Sequence, residues 1–148
     1  MKHITRVLVA IAFTLPLSSA FANECSPVVN ALSYHFDRKT DYNEHNFGVG
    51  IECSIDQTAS WQVGFYHNSE YTRSEYVFFL ANDLARVGSI KLGLTGGLVH
   101  GYDYATILPV AAGVVQIGVV RVLVLPPIVI DGKNIGVIGT QIVLPFSL

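Results

Sequence analysis

From Phe47 to Asp56 the chain alternates without a break: Phe47, Val49, Ile51, Cys53 and Ile55 fall on one side, Gly48, Gly50, Glu52, Ser54 and Asp56 on the other. A period of two is the signature of a β-strand, whose successive side chains point to opposite faces. Trp61, Val63 and Phe65 alternate with Gln62, Gly64 and Tyr66 in the same way, and Ile90, Leu92, Leu94 and Leu98 alternate with Ser89, Lys91, Gly93, Thr95 and Gly97. Extending the pattern predicts about eight strands: Ala31–Phe36, Phe47–Ile55, Trp61–Asn68, Glu75–Ala81, Ser89–His100, Ile107–Val114, Gly118–Leu125 and Ile135–Phe146. Asp56-Gln57-Thr58, Tyr71-Thr72-Arg73 and Asp131-Gly132-Lys133-Asn134 supply turns between consecutive antiparallel strands. No convincing amphipathic helix follows residue 22.

Two architectures fit such a meander. A soluble barrel or sandwich buries the Val/Ile/Leu/Phe face, whereas a transmembrane barrel turns that face to lipid and keeps small and polar groups inside. Strand length favours the second, because Ser89–His100 is longer than the ~5–6 residues usual in soluble strands and long enough for the ~9–11 of a tilted spanning strand. The continuous apolar stretch from Ile107 to Ile130 is read as two strands joined near Gln116-Ile117-Gly118 rather than as a helix. Pro109, Pro126, Pro127, Gly113, Gly118, Gln116 and Arg121 interrupt it, and valine is the better strand former. A strand proline donates nothing to the ladder, so Pro109 and Pro126 locally open the bonding between neighbours.

Composition narrows the function. Hydrophobic residues make up 51% of the 148 and charged residues 14%, which excludes a disordered chain. The 9 Lys and Arg against 11 Asp and Glu leave no basic stripe for nucleic acid. Lys2 and Arg6 precede an apolar run, Val7 to Leu17, and then Ser18-Ser19-Ala20-Phe21-Ala22, the three-part pattern of a signal peptide over residues 1–22. The run is too short for a membrane anchor, which takes ~20 residues. Phe21-Ala22-Asn23-Glu24 before Cys25 is not a lipidation signal. Cys25 and Cys53, the only cysteines, allow one bridge in an oxidising compartment; the alternative is two buried thiols. Too few soft ligands, at no recognisable spacing, speak against a metal site.

His35 with Asp37-Arg38-Lys39-Thr40-Asp41-Tyr42-Asn43-Glu44, then Phe47-Gly48-Val49-Gly50, Gly64-Phe65 leading to Asn68-Ser69, Leu92-Gly93-Leu94-Thr95-Gly96-Gly97, and Leu108-Pro109 with Leu125-Pro126 occur in an order that resembles the PagP family of outer-membrane lipid A palmitoyltransferases. The resemblance covers roughly residues 30 to 146. It implies an eight-stranded barrel in the outer membrane that holds an acyl chain in its lumen and moves palmitate, or a similar chain, from a phospholipid donor to a lipid A acceptor. It needs no cofactor, and a monomer is expected. The family's reactive His and Ser map onto His35 and Ser69, and its Asp onto Asn68, which cannot carry the negative charge that supports a protonated imidazole. The family's lateral lipid gap maps onto Pro109 and Pro126; a second gap, between the first two strands, lacks its proline, and the family's amino-terminal helix is missing. A Cys25–Cys53 bridge would clamp the amino terminus instead.

On that reading His35 is a general base, Ser69 helps polarise the ester carbonyl, and the acyl chain lies along Gly48, Gly50, Gly93 and Gly97, with Ala81 as the floor. His67 is a possible stand-in for the acid, and Glu52 and Lys91 are expected to pair in the lumen. The competing reading is a barrel of the same fold without chemistry, serving binding or envelope structure, and Asn68 is the feature that favours it. A soluble periplasmic β-protein that binds an apolar ligand is the third. Phe146-Ser147-Leu148 departs from the terminal aromatic usual in outer-membrane barrels.

Overall fold

The computed structural model describes residues 24–130 and 133–145. These form β1 (Cys25–His35), β2 (His45–Ser54), β3 (Ala59–His67), β4 (Arg73–Val87), β5 (Ile90–Tyr102), β6 (Ala105–Ile117), β7 (Val120–Leu125), the short pair β8 (Val129–Ile130) and β9 (Lys133–Asn134), and β10 (Val137–Val143). No helix occurs among the described residues. Strands β1 to β7 and β10 close into an eight-stranded antiparallel up-and-down barrel, β10 returning to β1, while β8–β9 forms a separate hairpin. Closure removes the two edges that an open sheet leaves unpaired. The signal-peptide reading of 1–22, the Asp131-Gly132 half of a predicted turn and the final 146–148 lie outside the described residues.

Which face looks outward follows from the exposures. Phe47, Phe79, Leu94 and Ile107 are 56%, 62%, 59% and 58% exposed, and Leu32, Val49, Ile51 and Leu98 join them on the outside. The residues between them on β2 to β5, among them Glu52, Gln62, Tyr76, Phe78, Leu80, Thr95 and Val99, are buried inside. The barrel thus carries an apolar exterior, far more than the scattered single residues of an ordinary surface. At the rim remote from the termini, here the distal rim, the outside becomes charged and aromatic: Arg73 and His100 flank Glu75 at 3.0 and 3.2 Å, Arg73 lies 4.4 Å over the Phe65 ring, and Arg38 lies 5.0 Å over Tyr34.

The strands depart from the sequence-based expectation at their ends. β1 begins at Cys25, because Cys25 to Val29 run in unbroken register against Cys53 to Val49, and Pro27 is harmless where it lies. Its parity then changes: a bulge between Asn30 and Ser33 adds a residue, and the Thr140 hydroxyl restores the wall by accepting from the Leu32 N–H at 3.0 Å and donating to the Leu32 carbonyl at 2.9 Å. β4 continues past Ala81 to Val87 through an irregularity at Asp83, whose φ of 61° interrupts the alternation. β7 and β10 are shorter than expected.

The half of the interior nearest the termini is filled by a polar lattice. Arg121, 1% exposed, forms a two-pronged ion pair with Glu52 and donates to the Gln116 side-chain oxygen Oε1 at 2.9 and 3.1 Å. Ser60 and Gln62 donate to the same carboxylate at 2.9 and 3.2 Å, and Asn82 donates to it at 3.3 Å. Gln62 exchanges bonds with Gln141, which donates to Asn30 at 2.9 Å, and Asn30 donates to the Tyr76 hydroxyl at 3.3 Å. Every barrel strand except β5 contributes. Burying charge is tolerable only when it is paired and hydrogen-bonded, which this lattice does for Glu52 and Arg121, although Asn82 Oδ1 at its margin has no partner. The expected Glu52–Lys91 pair is therefore corrected: Lys91 is exposed, in register with Arg86 and Gln116, and Glu52 belongs to Arg121.

Candidate functional site

The segment Tyr42-Asn43-Glu44 organises the distal rim. Asp37 turns the chain after β1 by accepting from the Lys39 N–H and the Thr40 hydroxyl at 3.0 and 3.1 Å. Returning toward β2, Tyr42 stacks on the His35 ring with centroids 4.3 Å apart and planes 20° from parallel. Glu44 accepts the His35 backbone N–H at 3.0 Å and pairs with the Arg38 guanidinium. Both contacts hold its carboxyl below the usual glutamate range, the His35 N–H being the larger cause. Asn43 pins the segment to the next turn: its N–H donates to the Ser69 carbonyl and its amide to the Asn68 carbonyl, both at 3.0 Å.

His35 lies at the end of β1, its side chain 13% exposed, with Nδ1 buried, 3.8 Å from Glu44 Oε1 and without a hydrogen-bond partner. His35, Asn68 and Ser69 thus share one rim, joined through Tyr42-Asn43, but no hydrogen bond among the described residues runs from the His35 ring to Asn68 or Ser69. Asn68 is fully buried and wholly engaged. Its amide nitrogen donates to Thr72 Oγ1, Ser74 Oγ and the Gly101 carbonyl at 2.8, 3.0 and 2.9 Å, and its oxygen accepts the N–H groups of Glu70 and Thr72 at 2.8 and 3.1 Å. It builds the turn that presents Ser69. His67 faces outward, its Nδ1 3.3 Å from the Phe47 carbonyl.

The glycine wall is occupied by the protein itself. Gly50 and Gly64 are partners across β2 and β3, and a Cβ on either would meet the Tyr76 hydroxyl, at 2.5 and 2.7 Å. Gly97 yields its room to the Phe78 ring and the Val77 carbonyl; at Gly48 and Gly93 the backbones of Phe65 and Ala81 fill the place. Tyr76 and Phe78 stack at 5.0 Å within a cluster that includes Leu80 and Val99, with Tyr66, Tyr102 and Val110 against it. Ala81 does not floor the lumen: it pairs with Leu94, 59% exposed, and so points outward, leaving Leu80 and Asn82 inside at that level. The two-residue period makes that a one-position error.

Between β6 and β7 the wall is incomplete. The strands pair from Ile117↔Val120 to Gly113↔Val124 and stop, so that among the described residues Ala105 to Ala112 of β6 have ladder partners in β5 and none in β7. Just past the last pair the chain reads Leu125-Pro126-Pro127, two residues without an N–H, and departs toward β8. Pro109, paired with Leu98 of β5, lies on the part of β6 that has no partner in β7. Leu108, Val110, Leu123, Leu125 and Val137 face inward around this opening and are only half-buried. Beside them Gly139 is in register with Leu123 and Ser33, and among the described residues a Cβ built on it would meet just the Leu123 Cβ, at 4.0 Å. That position is open, whereas those along the Gly48–Gly97 wall are crowded. Between the first two strands, by contrast, the ladder runs from Cys25↔Cys53 to Leu32↔His45.

Cys25 and Cys53 face each other across β1 and β2 and form a disulfide, Cα to Cα 4.1 Å, at the rim of the termini. Neither any protein-family profile nor any curated protein matches this sequence.

Proposed function

We propose that the protein is an outer-membrane acyltransferase of the PagP kind. It draws a phospholipid acyl chain, palmitoyl or similar, through the β6–β7 opening and delivers it to a lipid A hydroxyl. The observation that carries this reading is the arrest of the β6–β7 ladder at Gly113↔Val124, directly before Pro126-Pro127 and beside the recess at Gly139. A hydrocarbon environment penalises unpaired strand backbone, so an open seam in an apolar-faced barrel calls for a use. The apolar exterior and the charged, aromatic distal rim support placement in a bilayer, with that rim among headgroups. The acyl chain lies against Leu108, Val110, Leu123, Leu125 and Gly139. At the rim, His35 takes the proton of the attacking hydroxyl, its oxygen bonds to the ester carbonyl carbon, the ester C–O bond breaks, and the proton passes to the departing lysophospholipid oxygen. Ser69 lies on the turn that faces this step.

The second reading, a barrel of the same shape without chemistry, is favoured by Asn68, which is neutral and consumed by its own turn. Mass spectrometry of lipid A from an acyltransferase-deficient outer membrane carrying the protein separates the two. An added acyl mass that disappears in His35→Ala and in Gly139→Leu supports the enzyme. An unmodified lipid A from a correctly folded wild-type barrel selects the inert one.

A further inference from the structure

A general-base histidine needs a partner that orients its ring and stabilises the imidazolium formed during the reaction, and a carboxylate is the usual one. Asn68 is neutral and its amide is committed elsewhere, while His67 faces the outside. One carboxylate does face the buried and partnerless His35 Nδ1: Glu44 Oε1, 3.8 Å away. We propose that Glu44 is the positioning residue of His35, an assignment that rests on the acyltransferase reading above.

Three contacts prepare the pair. The His35 main chain holds the Glu44 carboxylate through its N–H, so acid and base are tied together before any side-chain contact forms. The Tyr42 ring stacks on the imidazole face, 4.3 Å between centroids, so the ring edge with Nδ1 stays directed at the carboxylate rather than covered by the tyrosine. Arg38 bonds both Glu44 and the His35 carbonyl, the latter at 3.4 Å, and sets how much of the carboxylate's charge the ring feels. Glu44 and Arg38 are the charged groups that act on His35; across the ladder in β10 its partner is the neutral Val137. A shift of about 1 Å brings Nδ1 and Oε1 to the ~2.8 Å of a charge-assisted hydrogen bond, which fits a site that tightens when substrate arrives.

The test uses the folded, disulfide-intact barrel in bilayer nanodiscs and follows the His35 imidazole by NMR through its titration, with His35→Gln identifying the signal. Glu44→Gln keeps an oxygen for the His35 N–H but removes the charge, so the His35 midpoint should fall by about one pH unit. Glu44→Asp should restore most of it. With phospholipid donor and lipid A acceptor supplied, the acid limb of kcat/KM should move to lower pH by the same amount in Glu44→Gln, and kcat should fall about tenfold, less than the ~10²–10⁴-fold that a general base itself contributes. A His35 midpoint and acid limb both unmoved by Glu44→Gln, in a barrel that still transfers acyl chains, overturn the pairing and leave the enzyme reading standing. A wild-type barrel that transfers nothing overturns both, even if the midpoint follows Glu44.

Discussion

Replacing Asn68 with aspartate inserts the residue that the PagP resemblance calls for, and the structure says that the result is damage rather than repair. The Asn68 oxygen would keep its two N–H donors, but the nitrogen that gives hydrogen bonds to Thr72 Oγ1, Ser74 Oγ and the Gly101 carbonyl would become a second acceptor. Ser74 can turn its hydroxyl to donate. Thr72 cannot, because its hydroxyl already donates to the Gly101 carbonyl at 3.0 Å. Two acceptor oxygens then meet at about the present 2.9 Å in a site with no exposure. Losing the bonds to Thr72 and Gly101 and setting acceptor against acceptor, with partial burial of charge, gives about 2–4 kcal/mol of destabilisation. The sign with pH follows. The new carboxyl is pushed above its ordinary pKa, and its neutral form can donate to Gly101. The cost of Asn68→Asp is therefore smallest below the ordinary aspartate range near ~4 and grows as pH rises through it. Urea unfolding of the detergent-solubilised barrel, read by the mobility difference between folded and unfolded chain at about pH 4 and pH 8, measures it. A variant as stable as wild type at the higher pH, or one with raised transfer activity, refutes the reasoning.

Three further outcomes are expected. Glu52→Gln strands the Arg121 guanidinium inside the barrel and should cost about 3–5 kcal/mol, whereas Glu52→Gln with Arg121→Met should cost clearly less; equal losses in urea unfolding would mean that the pair is not the centre of the lattice. Removing the Cys25–Cys53 bridge by a double serine substitution frees a closed loop of 28 residues' separation and should lower unfolding stability by about 3–4 kcal/mol, with a midpoint insensitive to reductant. Pro126→Ala with Pro127→Ala returns two donors to the seam, so the ladder should lengthen, protection of β6 amides against hydrogen exchange should rise, and acyl transfer should slow; unchanged exchange along 105–112 would count against the prolines as the cause.

The strand count, the antiparallel order and the outward Phe47-Val49-Ile51 face were legible because a period of two carries face as well as element. The same period failed wherever a bulge moved the parity. The extra residue near Ala31 leaves no mark that alternation can read, which is why β1 begins earlier than the pattern suggested, and the positive φ at Asp83 hides the continuation of β4. Ala81 itself keeps the regular alternation and was placed one position off, where Leu80 faces inward. Pro109 and Pro126 were readable because proline's missing donor is a property of the residue itself. The glycines were read as empty space, but a glycine shows only that something comes close, and here it is Tyr76 or Phe78. The Glu52–Arg121 pair joins residues far apart in the chain, and strand pattern alone does not say which two meet across a lumen. Tyr42, Asn43 and Glu44 were visible as letters, yet their roles depend on where the loop lands.

The polar lattice around Arg121 turns the barrel into a blind socket. The lattice residues come from seven of the eight barrel strands and meet at one level of the interior around the Glu52–Arg121 pair. On the acyltransferase proposal, those polar groups set the depth to which an acyl tail can reach. Under the same reading, the expected donor is a lipid of the leaflet level with His35, because the unpaired stretch of β6 lies towards that rim.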